Sequence, residues 1–190
     1  LEDGSGALAG TGRLQHILPL TMERSPQWTG QGLRVDAEHH LVTPTNASWP
    51  SLREALVASR AVTLSCRVRS HAPVSRNQLL AALYIRMAGE QRRRLITLMM
   101  VDEKAPSDWL RWSITVAPDG SMRTYRGAEL VRNEMLEHWP PAPDDQSIQL
   151  KLLEPLGHHG EPNPDLAIEF ADVLIFDRAL EPDELRRLAH

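Results

Sequence analysis

Hydrophobic and polar residues alternate with a period of two over residues 61–69. Val62, Leu64, Cys66 and Val68 fall on one side, and Thr63, Ser65, Arg67 and Arg69 on the other. Successive side chains of an extended strand point to opposite faces, so this pattern predicts a half-buried antiparallel strand with Cys66 in the core. The second strong signal closes the chain, over residues 166–180, where apolar side chains occupy both faces from Val173 through Phe176. A strand buried on two sides reads this way, and it predicts an interior position in a sheet. Asp177 and Arg178 then turn it into a short helix. Pro182 suits the first helical position, Glu184 stands where a capping-box carboxylate would, and Leu180 can pack on Leu185. So short a helix is unstable alone, so Leu185 and Leu188 are expected to rest on the sheet.

Weaker apolar runs predict further strands at 13–22, 33–36, 41–43, 79–87, 94–101, 109–116, 121–126 and 147–153. Pro19 places the first of these at an edge, because proline cannot donate to a central ladder. Ala117-Pro-Asp-Gly120 is a hairpin turn signal, with Gly120 free to take a positive φ. Residues 1–12 are small and turn-rich, 89–94 form an exposed connection, and 133–146, carrying Pro140, Pro141 and Pro143, make a loop along an edge. Ser51-Leu-Arg-Glu54 has the capping-box spacing, and with Leu52, Ala55 and Leu56 on one face it predicts a helix over 51–58. Many short strands, frequent turns and one or two short helices predict an all-β antiparallel sandwich.

Val173-Leu-Ile-Phe-Asp-Arg-Ala-Leu180, followed by Glu181-Pro-Asp-Glu-Leu-Arg-Arg-Leu188, resembles the closing strand and helix of laminin-G-like, concanavalin A-like jelly-roll domains. The strand at 61–69 resembles the early strand of that family, which opens Ala-Phe/Val-Thr, and Gly32-Leu-Arg-Val-Asp36 also matches its pattern. The resemblance implies an antiparallel jelly-roll β-sandwich forming a single domain over residues 1–190. It implies a non-catalytic recognition module, binding a glycan or another surface polymer within a larger extracytoplasmic protein of bacterial type, periplasmic or at the cell surface. A structural or protein-interaction domain without a small ligand is the alternative. Calcium at the rim is a further family feature, but the acid that opens the family's last strand falls here on Ala171, leaving Asp172. No other cofactor is implied.

Composition narrows this picture. The chain has 14 Pro, 11 Gly and 42% hydrophobic residues, a globular composition with many turns. It begins at Leu1 and not at Met, which reads as a piece of a longer protein whose other domains are expected partners. No apolar run approaches the ~18 residues that cross a bilayer, so direct membrane insertion by this segment is not expected. Cys66 is the 1 cysteine, so no intrachain disulfide can form. The net charge of −4 is unevenly spread: residues 60–132 hold 13 Lys+Arg against 6 Asp+Glu, and residues 133–190 hold 4 against 13. Either basic middle strands pair with acidic C-terminal ones across a sheet, or a cationic face is exposed to an anionic ligand. With this overall balance and no recognition motif, nucleic acid is not an expected partner.

Candidate chemistry is sparse. The Glu-x-Asp-x-x-Glu strand of glucanases sharing the concanavalin A-like fold has no counterpart in any predicted strand, and no Gly-x-Ser-x-Gly elbow occurs. A divergent glycoside hydrolase is therefore the weakest reading, and the chain is not expected to be an enzyme. His158, His159, Glu161, Asn163 and Asp165 form one group of potential metal ligands, and Asp36, Glu38, His39 and His40 another. Neither follows a zinc spacing, and solvated loops account for both. Sugar recognition uses an aromatic platform beside polar groups. Trp112 alternates with core positions, whereas Trp28, Trp49, Trp109 and Trp139 are rim candidates. Trp109, Arg111, Arg123, Arg67 and Arg69 are the residues expected to line a concave cationic face.

Overall fold

A computed structural model describes residues 6–9, 17–22, 27–36, 41–42, 50–71, 78–86, 92–100, 108–137, 139, 147–152 and 167–189. Its strands are β1 (Gly6–Ala9), β2 (Ile17–Met22), β3 (Gln27–Trp28), β4 (Leu33–Asp36), β5 (Leu41–Val42), β6 (Val62–Ser70), β7 (Gln78–Arg86), β8 (Arg92–Met100), β9 (Leu110–Val116), β10 (Ser121–Arg126), β11 (Glu129–Met135), β12 (Ser147–Leu152) and β13 (Ala167–Phe176). Two helices, α1 (Pro50–Ser59) and α2 (Pro182–Leu188), complete them. The strands form two antiparallel sheets, a six-stranded one ordered β1-β2-β5-β12-β7-β8 and a seven-stranded one ordered β11-β10-β9-β6-β13-β4-β3. This is the predicted jelly-roll β-sandwich with two short helices.

The core lies where the sheets face each other. β6 and β9 contribute Leu64, Cys66, Trp112 and Ile114, while β7 and β8 contribute Leu80, Leu83, Ile96, Leu98 and Met100, all of them buried. Full burial of each large apolar side chain contributes about 1.5–3 kcal/mol. Burial also pushes the Cys66 thiol well above its ordinary range, with Asp172 adding to the effect, so this sulfur is an inert core group. β13 is an interior strand between β6 and β4, as its two-sided apolar pattern predicts.

Several boundaries differ from the sequence expectation. Residues 6–9, read as turn, form β1 and pair with Ile17 through Leu20. β2 therefore has a neighbour on each side and is not an edge strand; Pro19 is accommodated because β5 reaches only Thr21 and Met22. The loop expected at 133–146 starts later, since β11 runs through Met135 on β10. The connection expected at 89–94 is shorter, with β8 beginning at Arg92. α1 begins at Pro50, where the fixed φ of proline suits a first helical residue, so Ser51 lies inside the helix and not at its cap. Gly120 takes the expected positive φ of 85°, and its N–H donates to the Ala117 carbonyl at 2.9 Å.

α2 folds back onto the outer face of the seven-stranded sheet, where Leu180 and Leu185 pack with Tyr125, Phe176 and Leu188. The Thr63 hydroxyl donates to the Arg178 carbonyl at 2.8 Å and accepts from the Leu180 N–H at 2.9 Å, fixing the turn to β6. Glu184 accepts from the Glu181 N–H at 3.0 Å, as a capping-box carboxylate does, and from both ends of the Arg178 guanidinium at 2.8 and 2.7 Å. The Arg178 bonds hold the Glu184 carboxyl down to about 2. A depressed carboxyl stabilises the fold above its unfolded pKa and loses that contribution as pH falls through the folded value. The melting temperature should therefore drop as pH falls from ~4.3 toward the folded value, and Glu184→Gln should flatten that part of the profile. Identical wild-type and variant profiles over this range would remove Glu184 from the acid response.

Candidate functional site

The outer face of the seven-stranded sheet, beyond the edge of α2, carries two cross-strand rows of charge. In one, Glu169 of β13 stands between Arg69 of β6 and Arg34 of β4. In the other, Arg67 of β6 stands between Asp172 of β13 and Arg111 of β9. Strict alternation would send Glu169 and Asp172, three positions apart, to opposite faces. The register of β13 against β6 shifts between Phe170 and Asp172, and the extra residue, Ala171, returns both carboxylates to the outer face.

Glu169 is only 1% exposed. Its Oε1 accepts from the Thr29 hydroxyl. Its Oε2 accepts from Arg69 Nε at 3.1 Å and Nη2 at 2.5 Å and lies 3.0 Å from His71 Nε2. Burial works to raise this carboxyl's pKa, yet the bonds from Thr29, Arg69 and His71 outweigh it and hold the group below its ordinary value. Thr29 is placed by the turn into β4, where its hydroxyl accepts from the Gly32 N–H at 3.0 Å. Gly32 must be glycine, since a Cβ there would stand 2.5 Å from the Phe170 carbonyl oxygen.

Asp172 serves two arginines unequally. Arg111, 5% exposed, bonds Asp172 Oδ2 through Nη2 at 2.9 Å and also reaches Ser65 Oγ at 3.1 Å and the Leu188 carbonyl at 2.7 Å. It thereby ties β9, β6, β13 and the end of α2 together. Among the described residues, Arg67 has a single 3.6 Å ion-pair contact, with Asp172, and its Nε finds no hydrogen-bond partner. Among the described residues of these two rows, four arginines, Arg34, Arg67, Arg69 and Arg111, thus stand with two carboxylates, a surplus of basic over acidic side chains. Trp109 lies over this surplus at the start of β9. Arg69 sits 5.0 Å and Arg67 5.6 Å from its ring centroid, and its indole N–H donates to Gln31 at 3.4 Å.

Of the residues expected to line the face, Trp109, Arg67, Arg69 and Arg111 come together, with Arg111 buried in structural bonds. Arg123 does not join them. It is exposed on β10 opposite Thr115, two register rows from Arg67, and the row between holds Tyr125, over which α2 packs. The pairing of basic middle strands with acidic C-terminal ones holds for Arg69 with Glu169 and for Arg111 with Asp172. Among the rim tryptophans, Trp139 packs on the core and donates to the Arg60 carbonyl at 2.8 Å. Trp49 and the groups around His158 and His39 lie outside the described residues. No group of three or more potential metal ligands occurs among the described residues. Glu169, Thr29 and His71 carried no sequence signal beyond one charged residue in the otherwise apolar run 166–170.

No family model and no curated protein matches the chain. Solved structures match its fold at low identity. The receptor-binding domain of botulinum neurotoxin mosaic serotype C/D aligns with a TM-score of 0.57 at 10% identity, over 96% of this chain and 49% of that one. The binding domain of botulinum neurotoxin DC in complex with SialylT gives 0.56 at 12% identity, over 99% of this chain and 51% of that one. A mutant Trypanosoma rangeli sialidase displaying trans-sialidase activity gives 0.60 at 12%, over 98% of this chain and 32% of that one. The chain therefore spans about half of each toxin domain and about a third of the sialidase. At these identities the likeness is one of fold, the β-sandwich.

Removing one member of a buried ion pair leaves the other uncompensated. Glu169→Ala should therefore lower unfolding stability by about 3 kcal/mol, seen as a lower denaturant midpoint with an unchanged slope. Glu169→Gln, which keeps the shape and the hydrogen-bond acceptor, should lose less. An alanine variant as stable as wild type would show that the cluster does not hold the sheet.

Proposed function

We propose that this chain is a non-catalytic recognition module, laminin-G-like in type, that binds an anionic glycan or another acidic surface polymer through Trp109, Arg67 and Arg69. In this proposal it forms one domain of a larger extracytoplasmic protein, and recognition requires no cofactor. The observation that carries it is the unequal pairing on the outer face. Arg67, half-exposed beside the Trp109 ring, has no short hydrogen bond to a carboxylate among the described residues, so its charge is available to an acidic group while the indole offers an apolar surface to a sugar ring. Solved structures of like fold support it, because receptor-binding domains are among them and one is described in complex with SialylT.

A hydrolytic role has less support. Glu169 and Asp172 do share one face, but each is engaged by guanidinium groups, and Glu169 is held below its ordinary pKa. A glycosidase acid needs the opposite shift.

A screen of the purified chain on an array of neutral and acidic glycans, run with calcium and again with chelator, tests the proposal. Acidic glycans should be selected in both conditions. Arg67→Ala and Trp109→Ala should each weaken binding on the order of tenfold, the loss expected for one charge-assisted contact or one aromatic platform. Arg67→Ala should leave the melting temperature nearly unchanged, since that guanidinium makes no short bond. No acidic ligand in either condition, or binding untouched by both substitutions, would overturn the assignment; loss of binding with chelator would overturn the claim that no cofactor is needed.

A further inference from the structure

β11 ends the seven-stranded sheet, and its outer edge has no strand partner among the described residues. Natural sheets blunt such edges with proline, short strands, charged side chains or bulges; β11 runs seven residues without proline, though it carries Glu129, Arg132 and Glu134 and pairs with β10 across one register shift. It also holds the three large apolar side chains found exposed among the described residues: Leu130 at 50%, Val131 at 39% and Met135 at 64%. Exposed apolar side chains on an unpaired strand mark a surface that another strand can cover.

Over residues 131–135 the sequence of this edge is complementary to itself. Read outward from Asn133, Arg132 is matched by Glu134 and Val131 by Met135. We propose that β11 pairs antiparallel with β11 of a second copy of this chain about a two-fold axis through Asn133. In that register Arg132 of each copy faces Glu134 of the other, and Val131 faces Met135. Both charged side chains stand half-exposed, already paired within the strand at 2.6 Å, so the exchange of partners between copies requires little reorganisation. A register centred on Arg132 would instead oppose like charges and is disfavoured.

Backbone direction agrees. The Leu136 N–H points at the Gly120 carbonyl, bonded at 3.0 Å, on the β10 side. Amides alternate along a strand, so those of Met135 and Asn133 face the free edge, where a closely bonded pair at Asn133 can form. A two-fold axis normal to the sheet keeps both outer faces on the same side of the joined sheet. If those faces bind glycan as proposed above, the dimer presents two Trp109 shelves to one surface, and binding to a repeating polymer gains by avidity. That consequence rests on the glycan reading; the dimer does not.

Sedimentation of the purified chain through the micromolar range tests the pairing without any ligand. Wild type should sediment as a reversible dimer. Glu134→Arg, which sets Arg against Arg at two symmetric contacts, should raise the dissociation constant on the order of tenfold or more. Arg132→Glu should do the same, while the double variant R132E/E134R, which restores opposite charges, should recover the dimer. Asn133→Pro, which removes an outward amide, should abolish it, with circular dichroism and melting temperature checking that each variant folds. A wild-type monomer throughout the range, or a dimer indifferent to both single charge reversals and to Asn133→Pro, would overturn the proposal, whatever the glycan screen shows.

Discussion

A single carboxylate, that of Glu169, sets the terms for one half of the sandwich. An isolated charge removed from water costs several kcal/mol, so a buried glutamate survives in a strand only where donors converge on it. Here they come from two separate parts of the chain: Thr29 from the turn before β4, and Arg69 and His71 at and just beyond the end of β6. The requirement works in both directions. Glu169 needs those donors, and the segments carrying them are held in register with β13 by supplying them, which places β4 and β6 on either side of the last strand.

The bulge at Ala171 extends the same logic. By bringing Asp172 to the outer face, it gives Arg111 a partner deep beneath the end of α2, where the guanidinium also takes the Leu188 carbonyl and so helps to terminate the helix. Arg111 takes the hydrogen bond to Asp172 Oδ2 at 2.9 Å and brings Nη1 within 2.8 Å of Oδ1. Arg67, next to it on β6, is left with a long contact and an unfilled Nε, and leans on Trp109. The available charge on this face is therefore a consequence of packing: more arginines than carboxylates arrive on adjoining strands, and the buried one is satisfied first.

How much of this was legible in the sequence follows from where each signal is local. β6 and β10 announce themselves by alternation and turn chemistry within a few residues, and α2 by a proline, a capping carboxylate and two leucines. Trp109, Arg67, Arg69 and Arg111 were legible as polar-face or strand-end positions because that needs only strand parity. β11 was not, since a solvated edge strand such as Glu-Leu-Val-Arg-Asn-Glu-Met alternates weakly and its apolar residues face water. β1 was missed because Gly and Ala have little strand propensity and pairing with β2 alone defines it. The roles of Glu169 and Thr29 were illegible for a different reason: they lie 140 positions apart, and no local pattern links them.

Arg67 and Arg69 show why a count of basic residues cannot identify a binding face. Both occupy outward positions of one alternating strand, and both lie near the same indole. Arg69 is committed by two bonds to a buried carboxylate, so an incoming anion would have to share a guanidinium already satisfied at low dielectric. Arg67 carries no such commitment. The difference arises from Arg111, which faces Arg67 from β9 and takes the hydrogen bond to Asp172, the acid that the bulge at Ala171 sets opposite Arg67. One acid set against two arginines on adjoining strands cannot serve both equally, and the charge left beside Trp109 is that of Arg67, the more exposed of the two.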